Sequence, residues 1–97
     1  MITITEIKRT CWACPSQWEG KTKDGRAVYI RFRWGCLSVN VGKSIDDAIR
    51  NNRTIFEWQD KDRWNSLMEN PQLVTLTRGV LQFPKGFEVE DDESKPI

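Results

Sequence analysis

Histidine is absent from this 97-residue chain. With it go the commonest general base, the Ser/His/Asp and Cys/His nucleophile pairs, and the commonest side-chain metal ligand. An excess of charge of one sign is lacking too. Fifteen Lys/Arg stand against 14 Asp/Glu, a formal net charge of +1, so composition alone advertises no polyanionic or membrane partner. No apolar run approaches the ~20 residues that cross a bilayer, and Met1-Ile2-Thr3-Ile4-Thr5 has neither the basic start nor the long apolar stretch of a signal peptide. Gly-rich phosphate loops are missing, as are the paired acids of a glycosidase or a two-metal site. Cysteine is sparse and odd in number. Cys11, Cys14 and Cys36 cannot complete a disulfide framework and fit a reducing compartment, so a cytoplasmic protein is expected.

The remaining composition, 38% hydrophobic and 30% charged, is that of a soluble globular domain, and the length suits one core. Residues 1 to 35 carry seven Lys/Arg against three Asp/Glu, while residues 71 to 97 carry three against five. The last ten, Glu88 to Ile97, hold too little apolar surface to offset the entropy of ordering them. A globular α+β domain over 1–87 and a disordered acidic tail over 88–97 are expected.

Between Gln17 and Val41 the pattern has period two. Val28, Ile30, Phe32 and Trp34 alternate with Tyr29, Arg31 and Arg33. With Trp34-Gly35 as a tight connection, Phe32 falls opposite Leu37, Ile30 opposite Val39 and Val28 opposite Val41. On the other face Arg31 lies beside Ser38 and Tyr29 beside Asn40. A three-residue loop Asp24-Gly25-Arg26 pairs Trp18 with Phe32 and Gly20 with Ile30, which keeps Glu19 and Lys21 off the apolar face. The result is a central three-strand meander over about 17–41.

Ser44-Ile45-Asp46-Asp47 reads as a capped helix start, giving a short helix over about 45–51. Asp60, then Trp64, Leu67 and Met68, predicts a second over 61–69, ended by Asn70-Pro71. Ile2 to Ile7, Thr54 to Trp58, Leu73 to Thr77 and Val80 to Phe83 read as strands. The expected fold is α+β: a mostly antiparallel sheet with both helices on one face.

Cys11-Trp12-Ala13-Cys14 has the spacing of a dithiol couple or half a zinc site. A zinc site would lack its fourth ligand, and Pro15-Ser16-Gln17 does not continue as the helix that would lower a thiol pKa, so no metal or cofactor is called for. Of the five tryptophans, Trp18, Trp34 and Trp64 are expected in the core, leaving Trp12 and Trp58 as rim anchors. The polar sheet face gathers Lys21, Tyr29, Arg31, Arg33, Ser38 and Asn40. There Arg31 and Arg33 project about 7 Å apart in one direction, an arrangement suited to a phosphate, a carboxylate or an acidic protein edge.

The favoured expectation is a non-enzymatic recognition module, such as an inhibitor of the phage or mobile-element type, that binds a protein or an anionic ligand through this face. Two alternatives stand beside it. One is a thiol redox protein or sensor using Cys11 and Cys14. The other is single-stranded nucleic-acid binding by the basic N-terminal half. Self-association through a free strand edge is compatible with all three.

Overall fold

The computed structural model describes residues 1–12 and 15–89, without the side chain of Val89. The expectations for Cys14 and for the tail from residue 90 lie outside the described residues. Glu88 and Val89, assigned above to the tail, belong to a short 3-10 turn, Phe87–Val89, whose first residue is buried in the core.

In chain order the elements are β1 (Ile2–Cys11), β2 (Ser16–Thr22), β3 (Ala27–Arg33), β4 (Cys36–Gly42), α1 (Ile45–Arg50), β5 (Thr54–Gln59), α2 (Asn70–Leu76) and β6 (Leu81–Gln82). They form a small α+β domain around one sheet of six strands in the order β5-β4-β3-β2-β1-β6. Neighbours run antiparallel except β6, which lies parallel to β1, so the sheet is mixed. The strands of the expected meander are therefore inner members of a larger sheet.

Between β3 and β4 the pairs are Val28↔Val41, Ile30↔Val39, Phe32↔Leu37 and, on the other face, Tyr29↔Asn40 and Arg31↔Ser38. Trp34 and Gly35 connect these strands with φ of +53° and +72°, the two left-handed residues of a type I′ turn. The β2–β3 register departs from expectation by two residues. Trp18 pairs with Ile30 and Gly20 with Val28, so each side chain keeps its face but not its neighbour. Gly25 decides this. Thr22 N–H donates to Arg26 C=O at 2.8 Å, closing a loop of Lys23, Asp24 and Gly25 in which glycine takes the left-handed position, φ +87°. The loop Asp24-Gly25-Arg26 would have put Arg26 there.

Two expected elements are corrected. Residues 61–69 are not helical, because Asp60, Asp62 and Asn65 side chains accept the N–H groups of Asp62, Trp64 and Leu67. Such short-range capture competes with the helix ladder. The helix comes next: Pro71 lies in the first turn of α2, where its missing N–H costs nothing, so Asn70-Pro71 begins a helix rather than ending one. Leu73 to Leu76, read as a strand, is that helix.

Trp18, Val28, Ile30, Phe32, Leu37 and Val39 form the centre of the core with Ile4, Met68, Leu73, Leu81 and Phe87. Full burial of each large apolar side chain contributes roughly 1.5–3 kcal/mol. Leu73 brings α2 onto this apolar face. By contrast, α1 packs on the opposite face, where Asn40 Nδ2 donates to Ala48 C=O at 2.9 Å. The helices thus lie on both sides of the sheet and not on one. No helix among the described residues is long and apolar enough to cross a membrane.

Candidate functional site

The polar face is divided by α1. Toward the α1 end, Tyr29 and Asn40 are buried at 8% and 7% exposure. The Tyr29 hydroxyl donates to Gln17 Oε1 at 2.9 Å, and burial raises its pKa. Asn40 donates to Ala48 and accepts from Thr54 Oγ1 at 2.8 Å, tying α1 to β5. Both residues are therefore interior joints rather than parts of an open binding surface. Lys21 is exposed but pairs with Ala27, at the far end of β2 from Gln17, which lies opposite Arg31. That separates it along the strands by about 13 Å from Arg31 and about 20 Å from Arg33.

Beyond α1 the face opens. Arg31, Arg33, Cys36 and Ser38 from β3 and β4, with Asn52, Thr54 and Glu57 from the β5 side and Trp34 at the turn, line a shallow groove of about 260 Å³. Arg31 and Arg33 are half-buried, and among the described residues neither takes part in an ion pair within 4 Å. The Arg33 Nε is buried without a hydrogen-bond partner among the described residues, and its guanidinium carbon stands 5.2 Å from the Trp34 ring centre. A wider hollow of about 410 Å³ lies between the start of β1 and the β2–β3 loop. Its charged pair is already satisfied, since Arg26 Nε bonds Asp24 at 3.0 Å and Thr22 also donates to that carboxylate.

The tryptophans are distributed otherwise than expected. Trp18 is fully buried, but Trp34 is 48% and Trp64 81% exposed, and their rings meet edge to face at 5.9 Å. Trp58, read as a rim anchor, is packed against the core and lies 6.4 Å from Phe32. Trp12 is half-buried under the Arg9 guanidinium, which stands 3.7 Å from its ring and 4.5 Å from that of Trp18. The buried Arg9 also donates to the Met68 carbonyl. This arginine carried no sequence signal, because its position on β1 is adjacent to Trp18 only through the β1–β2 register. For Trp34 a signal existed: a residue in a two-residue turn leaves the alternation of its strand.

The Trp34–Trp64 pair is held by a firm backbone. Gly35 N–H donates to Asn65 C=O at 2.6 Å, Asp60 N–H to Gly35 C=O at 2.7 Å, and Trp34 N–H to Ser66 Oγ at 3.1 Å. A side chain at Gly35 would meet Asp62 C=O at 2.6 Å. Asp60 and Asp62 are absorbed in building this loop. The Asn65 amide, and then the Asp62 N–H, hold the Asp60 carboxyl below its ordinary pKa.

Cys36 lines the groove beside Arg33, whereas Cys11, half-buried, ends β1 opposite Gln17. Cys14 lies outside the described residues. Among those residues no group of three or more His, Cys, Asp or Glu converges as a metal site would require. Comparison with protein-family models, curated proteins and solved structures finds no match for the chain.

Proposed function

We propose that this protein is a non-enzymatic recognition module that takes an anionic group of its ligand in the groove between β3, β4 and β5. Arg31 and Arg33 are the binding cations. Ser38 supplies a hydroxyl, and Asn52 its amide N–H groups. The observation that carries the reading is the pair of guanidiniums lining one groove on one face, neither in an ion pair among the described residues. A phosphate or carboxylate in the groove would accept charge-assisted bonds from the two guanidiniums. Glu57 stands at the outer wall and tempers the affinity for multiply charged anions. A cytoplasmic setting belongs to this reading, supported by the odd number of cysteines.

Titration with inorganic phosphate and short polyphosphate, followed by amide chemical shifts, tests it. The expected result is saturable shifts confined to β3, β4 and β5, lost in Arg31→Gln/Arg33→Gln. In Glu57→Gln, affinity should rise about two- to fivefold, as removal of an exposed like charge implies. Uniform small shifts, or binding that survives the double substitution, would dismiss the groove.

A further inference from the structure

We infer that the ligand of this site is single-stranded nucleic acid, its bases stacking on Trp64 and Trp34 while its phosphates lie on Arg31 and Arg33. The inference rests on the anion-binding reading above and names its ligand class.

Trp34 is the first ground. A bulky residue at φ +53° is out of place in a type I′ turn, where asparagine or glycine is at ease. Its side chain is left 48% exposed. A backbone cost at a half-exposed ring, whose neighbours include the exposed Trp64 and the Arg33 guanidinium, points to use of the ring at the surface. Trp64, 81% exposed on a loop fastened to the same turn, presents a second indole 5.9 Å away. Every base has a π-face, so such a pair accepts any sequence.

Charge around the pair is the second ground. Asp60 and Asp62 accept backbone N–H groups and the Asn65 amide of their own loop, whereas Lys61 and Arg63 between and after them are exposed. With Arg33 beside the Trp34 ring and Arg63 preceding Trp64 in the chain, each indole of the pair has a cation next to it. Residues 1–89 hold 14 Lys/Arg against ten Asp/Glu, so the described body of the chain is basic.

The test uses the whole chain with an oligothymidylate of about twelve nucleotides, within the site sizes known for sheet-based binders. An abasic deoxyribose-phosphate strand of the same length and a poly-glutamate peptide serve as competitors. The expected result is quenched tryptophan fluorescence, and a log–log salt slope near −2 for about three phosphates neutralised. Trp64→Ala should weaken binding about tenfold or more, as the loss of one stacked base implies. Its midpoint of unfolding should not change. Equal affinity for the abasic strand overturns the inference while leaving the anion site standing. Tighter binding of poly-glutamate overturns it in favour of an acidic protein. Failure of the oligonucleotide and of inorganic phosphate alike removes both readings.

Discussion

Trp34 sets backbone against side chain within one residue. The two-residue connection between β3 and β4 demands positive φ at both positions, and glycine meets that demand only at the second. For an L-residue with a Cβ the left-handed region costs about 1–2 kcal/mol, less for asparagine, whose short polar side chain bonds locally. Trp34→Asn is therefore expected to leave stability unchanged or raise it by up to about 1 kcal/mol, despite loss of the contact with Trp64. Urea midpoints of the two proteins give the answer. A loss above about 1 kcal/mol would mean that the ring is packing after all. In the sequence Trp34 fits both the alternation of β3 and the turn that follows it, and the two place its ring differently. The turn assignment was the stronger constraint, since φ at that position is fixed by geometry and burial is not. Arg9 was beyond reach for a different reason: its partners Trp18 and Met68 are nine and 59 residues away, and no local pattern marks the encounter.

At the scale of elements, local rules succeeded where they were also the strongest forces present. The pairing of β3 with β4 follows from two alternating runs and a tight turn, all within 16 residues from Ala27 to Gly42. The start of α1 was equally legible: Ser44 Oγ accepts Asp47 N–H at 3.0 Å, the capping bond the sequence implied. Segment 61–69 failed the same logic. Its apolar residues have helical spacing, but its Asx side chains capture the N–H groups, and the Gly35 N–H and Ser16 N–H bond the carbonyls of Asn65 and Ser66. Tertiary bonds to distant strands outweigh a periodicity of three or four residues.

The α1 start carries a pH dependence of defined sign. Asp47 accepts from the Lys43 N–H at 2.9 Å, and also from the Asn51 amide and the Arg53 guanidinium; these hold its pKa below the ordinary 3.8. A carboxyl depressed by folding stabilises the fold above its unfolded pKa, and that contribution disappears as pH falls through the folded value. Wild type should therefore exceed Asp47→Asn in stability at neutral pH, with the difference shrinking below about pH 4. Asp24 and Asp60, also lowered, titrate equally in both proteins and cancel from the comparison. Urea unfolding of the pair at several pH values checks this, and a difference that stayed constant into acid would contradict it.

For the molecule as a whole, the order β5-β4-β3-β2-β1-β6 makes the beginning of the chain depend on its end. The first strand gains its outer neighbour only when Leu81 and Gln82 arrive, and Ile2 N–H donates to Val80 C=O at 2.8 Å. The apolar face of β2 is closed through a relay: Trp18 Nε1 donates to Asn70 Oδ1 at 3.0 Å, and Asn70 Nδ2 to Phe87 C=O at 3.2 Å. Phe87 in turn stacks on Phe83 at 4.8 Å. A chain ending at Glu69 would keep five of the six strands, including every residue of the proposed groove, yet lose Leu73, Leu81 and Phe87 from the core. At roughly 1.5–3 kcal/mol for each buried side chain, that loss is comparable to the entire stability of a small domain. The fragment should therefore show residual sheet by far-UV dichroism, bind a hydrophobic dye and unfold without a sharp transition. Phe87→Ala in the full chain, expected to cost about 3–5 kcal/mol, measures one share of the same closure. If the fragment instead melted cooperatively near the temperature of the whole chain, the last twenty residues of the described structure would be an accessory to the fold. The groove would then be a property of the first five strands alone.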